Sequence, residues 1–306
     1  MRRRRRDPDA LPAFVRPLTL IMVCGLIIVM MIHMLTTPPE RQEKPKEDLP
    51  KEEKYEVTYD RNFMQKGLYF TEEVIKEKGS EEILKVIEQS GFNAVVVEAD
   101  YKADIQKDVS ELFTLLSEKN IYLIVRLSYV DTFGMTGDKE QALGYCIKAA
   151  DAGADEINLD YVGDAEKGRT EFIKYIYEGI STYSIKLSAD FYVPMEEGDD
   201  ELSVMAAELS AMLAYLDNFC PVLYPSYYEF EGSIAIYEKT IQLIEKFEEL
   251  LVLSGYDKNV KVRPCLQAFD GSMLEDYSID AAEAVYEAVR ALEDCRMGSY
   301  VLYNPK

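Results

Sequence analysis

The stretch EINLDYVGDAEKGRTEFIKYIYEGISTYSIKLSADFY, from Glu156 to Tyr192, decides the fold. It opens and closes on two runs, Glu156–Val162 and Lys186–Tyr192, in which polar and apolar residues alternate as in a strand. Between them, residues 170–182 carry apolar side chains at three- and four-residue spacing, the period of a helix with one buried face. Strand, crossover helix and strand make a βαβ unit, and a connection of this length joins parallel strands.

The same unit recurs outward in both directions. Strand-like runs are predicted at 67–71, 94–99, 122–128, 156–162, 186–192, 218–225, 261–269 and 299–304. Helical segments separate them at 80–89, 105–119, 139–152, 170–182, 201–215, 234–253 and 279–293. Eight strands joined by seven crossover helices predict an α/β fold, a (β/α)8 TIM barrel. A doubly wound open sheet shows the same alternation, but no GxGxxG follows the first run and eight comparable units favour closure. The eighth run ends at Asn304 of a 306-residue sequence, so the usual last helix is missing, and part of Tyr55–Met64 is the candidate to cover that gap.

Upstream, Arg2 to Arg6 precede Leu18–Thr36, which holds no Asp, Glu, Lys or Arg. About 19 residues at 1.5 Å each span a hydrocarbon core of roughly 30 Å. Arginines on one flank only place the N-terminus in the cytoplasm and the remainder outside. A cleaved signal peptide starts in a similar way, but the apolar run is long for one and no small-x-small pattern follows it. From Glu40 to about Tyr59, Lys, Glu and Pro dominate and no core can form. The expected organisation is a basic cytoplasmic tail (1–17), a single transmembrane signal anchor (18–36), a charged stalk (37–60) and an extracellular barrel (61–306).

Composition narrows the chemistry. The formal charge is −22, and residues 1–17, with six arginines against two aspartates, contribute +4 of it. The rest therefore carries −26 and would repel nucleic acid. The only histidine, His33, lies in the apolar span, so Ser-His-Asp and Cys-His catalysis and the usual zinc-hydrolase ligand sets are excluded outside the membrane. Cys146, Cys220, Cys265 and Cys295 are widely spaced and read as buried thiols; neither a metal nor a cofactor is expected.

In a barrel, inward side chains at the C-terminal strand ends face the working mouth. Ile157, Leu159 and Tyr161 suit the helix side of their strand, which turns Asn158 and Asp160 inward; Leu187, Ala189 and Phe191 likewise leave Ser188 and Asp190 inward. The same parity aims Glu98, Arg126, Arg263 and Gln267 at the axis. Carboxylates, guanidinium groups and an amide sharing one mouth suit carboxylate-driven chemistry on a polyhydroxylated substrate. Tyr224, Tyr227, Tyr228 and Phe230 follow the sixth run and offer stacking faces for sugar rings, or a packed loop.

Asp160-Tyr161-Val162, Ser188-Ala189-Asp190, Val222-Leu223-Tyr224-Pro225-Ser226-Tyr227-Tyr228, Arg263-Pro264 with Leu266-Gln267, and Leu302-Tyr303-Asn304-Pro305 together resemble, in order and spacing, a family of bacterial putative glycosyl hydrolase barrel domains distantly similar to alpha-amylase-type glycosidases. The resemblance runs from about Lys66 to Lys306. It implies Asp160 as nucleophile or stabiliser and Asp190 as acid/base, with Glu98, Arg126, Tyr224, Tyr228, Arg263, Gln267 and Tyr303 contacting a carbohydrate.

The sequence departs from the family at Gly163-Asp164-Ala165, where relatives carry Arg-Phe-Pro, at Tyr227 in place of His, and at Cys265 and Tyr303 in place of tryptophans; the chain has no tryptophan. Two functions therefore stay open. One is a membrane-anchored extracellular glycoside hydrolase acting on a cell-surface or environmental polysaccharide. The other is a catalytically eroded barrel that binds glycan or a protein partner.

Overall fold

The computed structural model describes residues 57–60, 62–99, 104–127, 139–160, 169–193, 199–225, 233–256, 258–269 and 280–304. Residues 18–36, read above as a membrane anchor, and most of the stalk lie outside them, as does Tyr228. Among the described residues no helix is long and apolar enough to cross a membrane.

Eight parallel strands close into a barrel. In chain order the elements are β1 (Thr58–Tyr59), β2 (Lys66–Thr71), α1 (Glu72–Lys78), α2 (Ser80–Ser90), β3 (Ala94–Ala99), α3 (Lys107–Glu118), β4 (Tyr122–Leu127), α4 (Lys139–Asp151), β5 (Glu156–Leu159), α5 (Arg169–Ile180), β6 (Lys186–Tyr192), α6 (Asp199–Met212), β7 (Asn218–Leu223), α7 (Ser233–Leu253), β8 (Lys258–Val260), β9 (Cys265–Gln267), α8 (Ala281–Asp294) and β10 (Tyr300–Tyr303). The barrel runs β10-β2-β3-β4-β5-β6-β7-β9 and returns to β10. Its seam pairs Val301 with Gly67 on one side and with Cys265 on the other. Glycine suits that seam: a Cβ at Gly67 would stand 3.1 Å from the Val301 side chain.

Each crossover helix turns an apolar stripe onto the outward face of the sheet. In α3, Val109, Leu112, Phe113 and Leu116 recur at helical spacing and are at most 1% exposed. Each such side chain contributes roughly 1.5–3 kcal/mol by leaving water. They meet Val95, Val97, Leu123 and Val125, the outward residues of β3 and β4, in one continuous core.

The interior of the barrel has two unlike sides. Towards β10, β2, β3 and β4 it is filled by Tyr69, Ala94, Val96, Ile124 and Val301. Towards β5, β6, β7 and β9 it holds buried Glu156, Asn158, Asp160, Ser188, Asp190, Asn218, Arg263 and Gln267. Most of the buried polar groups therefore sit on one side of the barrel, and Arg126 from β4 and Glu98 from β3 reach them from the other.

Two expectations from composition are revised. Thr58–Tyr59, placed in the stalk, pairs with β8, and the Tyr59 hydroxyl bonds Glu248 at 2.5 Å, because a tyrosine that can bury its ring and satisfy its OH outweighs a charged local context. Nor do the described residues of 55–64 lie where a last helix would. Asp60 N–H donates to the Val260 carbonyl and the Ser299 hydroxyl to the Phe63 carbonyl, so the segment crosses the N-terminal end of the barrel. On the outer face a groove of about 660 Å³ lies between α8 and β10, lined by Phe92, Val285, Tyr286, Val289, Tyr300 and Leu302.

Candidate active site at the barrel mouth

Arg126 organises the mouth. It is the fifth residue of β4, two positions after the apolar Ile124, and neighbouring strands bring Glu98 and Asn158 into register beside it. Its Nη2 lies 2.6 Å from Asp160 Oδ1, its Nε donates to Asp190 Oδ2 at 3.0 Å, and its Nη1 lies 3.5 Å from Glu98 Oε1. One guanidinium thus meets three carboxyl groups from three strands or strand ends. Its plane also faces two rings, with Cζ 5.4 Å from the Tyr303 centroid and 5.8 Å from that of Tyr69. Burial works against the guanidinium charge, but Asp160 and then Asp190 more than offset it, so Arg126 stays ionised more firmly than a free arginine.

Asp160 follows directly after β5, and its backbone N–H donates to the Leu127 carbonyl, which carries the pairing one step past the strand. Asp190 lies in β6 and is 1% exposed. Its second oxygen accepts from Asn158 Nδ2 at 2.9 Å, with the Cys265 thiol at 3.8 Å. Asp160 and Asp190 are therefore within the width of one guanidinium, as their shared parity predicted.

Aromatic side chains wall the opposite rim. Tyr224 and Tyr303 stack with centroids 5.4 Å apart and planes 20° from parallel; Phe269 meets both edge-on, and Tyr69 packs on Tyr303 at 4.4 Å. Gln267 closes β9, and its Nε2 donates to the Phe269 carbonyl at 3.0 Å, which holds that ring in place. Desolvation, followed by the neighbouring Cys265, pushes the Tyr224 phenol well above its ordinary pKa, so it remains a neutral donor and stacking face.

Arg263 is not part of this mouth. It points inward, as its parity required, but its guanidinium grips Glu156, the first residue of β5, through both Nη atoms, and also reaches Gln65 ahead of β2. Glu156 is fully buried and also accepts from Tyr122 at 3.1 Å, Ser188 at 2.5 Å and Asn218 at 2.7 Å. Tyr122 and Asn218 begin their strands, Gln65 and Arg263 precede theirs and Ser188 is the third residue of β6, so the pair plugs the N-terminal half of the barrel.

Asn158 links the two levels, since its Nδ2 donates both to Ser188 at 3.0 Å and to Asp190. A hydrogen-bonded column therefore runs from Arg263 through Glu156, Ser188 and Asn158 to Asp190 and Arg126. Asn158, Tyr69 and Phe269 were not among the candidates from sequence, although parity had already turned Asn158 inward.

Among the described residues no cluster of three or more His, Cys, Asp or Glu side chains is arranged to hold a metal. Carboxyl groups beside one guanidinium, with stacked rings at the same mouth, are groups that carbohydrate chemistry on a barrel can use, and the fold itself is a (β/α)8 TIM barrel. Residues 163–306 match the family described as "Putative glycosyl hydrolase domain", in agreement with the resemblance in the motifs from Ser188-Ala189-Asp190 onward; Asp160-Tyr161-Val162 lies just ahead of the matched residues.

Solved structures share the barrel at low identity. The catalytic domain of a hyperthermophilic chitinase from Pyrococcus furiosus aligns at a TM-score of 0.56 and 12% identity over 82% of this chain and 86% of its own. A chitinase from Chromobacterium violaceum gives 0.53 and 16% over 78% and 93%, and a putative alpha-L-fucosidase from Bacteroides thetaiotaomicron 0.56 and 10% over 87% and 91%. No curated protein matches the sequence.

Proposed function

We propose that the barrel is a glycoside hydrolase that works through carboxyl groups at its mouth, without a cofactor. The observation that carries this reading is Arg126 bound at once to Asp160 and Asp190 beside stacked Tyr224 and Tyr303. Asp160, at the strand end, is the carboxylate that meets the anomeric carbon as nucleophile or charge stabiliser, and Arg126 holds it in place at 2.6 Å. Tyr303 and Tyr224 supply apolar faces for a sugar ring, and Glu98, Gln267 and the loop residue Tyr228 supply polar contacts. Arg263 is left out of the substrate-binding set and assigned to the barrel's structure.

The substrate in this reading is a polysaccharide at the cell surface or in the surroundings, because the sequence upstream fits an anchor. Leu18–Thr36 holds the chain in the membrane with the N-terminus in the cytoplasm and the barrel outside. Release of reducing ends from a panel of glycans that includes chitin oligosaccharides tests the activity. Mass spectrometry of protein extracted from membranes tests the anchor: a mature N-terminus beyond Thr36 would rule it out.

A second reading, binding without turnover, is favoured by one feature. The mouth's guanidinium is already satisfied by three carboxyl groups of the protein itself. A wild type that retains glycans and cleaves none would select it.

A further inference from the structure

The outer face of the barrel is not covered evenly. Beneath the helices over β3 to β6, the outward residues Val95, Val97, Leu123, Val125, Ile157 and Leu187 are at most 2% exposed. At the seam, Leu68 and Phe70 of β2 and Tyr300 and Leu302 of β10 also point outward, yet they are only partly buried. The groove of about 660 Å³ between α8 and β10 lies over this strip. Its residue Glu293 also lines a second hollow of about 650 Å³, bounded by Asp60, Met64, Arg296 and Met297.

Apolar side chains project beside both hollows. Tyr286, in the lining of the groove, is 65% exposed, and Met64, in that of the second hollow, is 50% exposed; both leave apolar surface in water that a contact would remove. Helix α8 carries two apolar stripes. Ala284, Ala288, Ala291 and Leu292 are buried in the fold, while Ala282, Val285, Tyr286 and Val289 recur at three- and four-residue spacing along the groove. A surface with both projecting side chains and hollows to receive them is complementary to itself, which is what a two-fold contact requires.

Charge points to the same occupant. The chain carries −22, so two copies repel over most of their surfaces and can meet only where that excess is missing. Along the two hollows Arg290 and Arg296 balance Asp60 and Glu293, and Lys66 Nζ lies 5.6 Å from the Tyr300 ring centroid at the same seam. Arg290 and Glu293 stand one turn apart on α8, so an antiparallel α8 from a second copy brings unlike charges together.

We propose that this seam is a two-fold interface between two copies of the chain, with Tyr286 of each copy entering the groove of the other. Sedimentation of the full-length protein in detergent, over a range of protein and salt concentrations, tests it. The wild type should show one equilibrium between single and paired chains that tightens as salt rises, because screening removes the repulsion while the apolar contact remains. Tyr286→Lys removes the projecting ring and Ala282→Arg fills the groove; each should weaken pairing about tenfold or more. Both positions are exposed in the single copy, and circular dichroism checks that the variants fold. Val204→Lys, at an exposed position on α6, makes the same change in charge and should leave pairing as it is. A wild type that stays single at every salt concentration overturns the proposal and leaves the groove to a different partner. Species larger than two also overturn it, since a two-fold contact closes at two. So does a pair that keeps its strength in both groove variants, as association through Leu18–Thr36 would give.

Discussion

Arg126 and Asp160 form a 2.6 Å ion pair at the C-terminal end of the barrel, with both side chains almost wholly buried. A buried pair is costly to assemble, and breaking it by removing one partner costs several kcal/mol because the other charge is left uncompensated. Here the remaining charges would be three carboxyl groups facing one another, so the arginine matters to the fold as well as to the chemistry.

Replacing it exposes that dependence. Arg126→Met should lower the melting temperature strongly at pH 7, by the equivalent of about 3–5 kcal/mol. Without the guanidinium, mutual repulsion raises the carboxyl pKa values in the folded state. Protonation then favours folding, and stability recovers as pH falls towards 5. Thermal melts at the two pH values check this: the variant should gain more than the wild type on acidification, and a variant that gains no more would show that the carboxyl groups do not crowd.

The Arg263 and Glu156 pair should behave as structure. Arg263→Met alone leaves a buried carboxylate without its cation and should cost about 3–5 kcal/mol, whereas Arg263→Met with Glu156→Gln should cost clearly less than the sum of the single changes. A denaturant double-mutant cycle measures the coupling. Additive losses would mean that the two side chains act independently.

The interior thiols set the alkaline limit. Desolvation pushes Cys146 and Cys220 up to about 12 and Cys265 also well above its ordinary value, so all three stay protonated in the fold. A raised folded-state pKa contributes stability that is complete below the unfolded value near 8.5 and is lost as pH climbs towards 12. Melting temperature should therefore hold steady to about pH 8.5 and decline above it, more gently in Cys146→Ala relative to that variant's own neutral value. At pH 8 iodoacetamide should leave these three thiols unmodified until the protein is unfolded.

Much of the barrel was legible because its two periods are clean. The runs at 94–99 and 186–192 coincide with β3 and β6, and Val95, Val97, Leu187 and Ala189 face the helices as alternation requires. Parity also placed Glu98, Arg126, Asp160 and Asp190 together, since each lies at or near the end of an inward row.

Depth was not legible. Arg263 and Gln267 share parity but stand four residues apart, about 13 Å along a strand. Which of them reaches the mouth depends on where β9 starts, and only Cys265–Gln267 is regular strand. Helix α1 was missed although its cap was in the sequence: Thr71 ends β2, and its Oγ1 accepts from the Val74 N–H at 3.2 Å. β1 and β8, two and three residues long, are too short to show any period.

The most direct measurement is glycan turnover by wild type and Asp160→Asn side by side, with thermal melts showing that both are folded. Removing the charge that meets the anomeric carbon costs transition-state stabilisation, so the account predicts measurable reducing-end release by the wild type and a loss of about 10³-fold or more in the variant. Equal, non-zero turnover by the two proteins would contradict it.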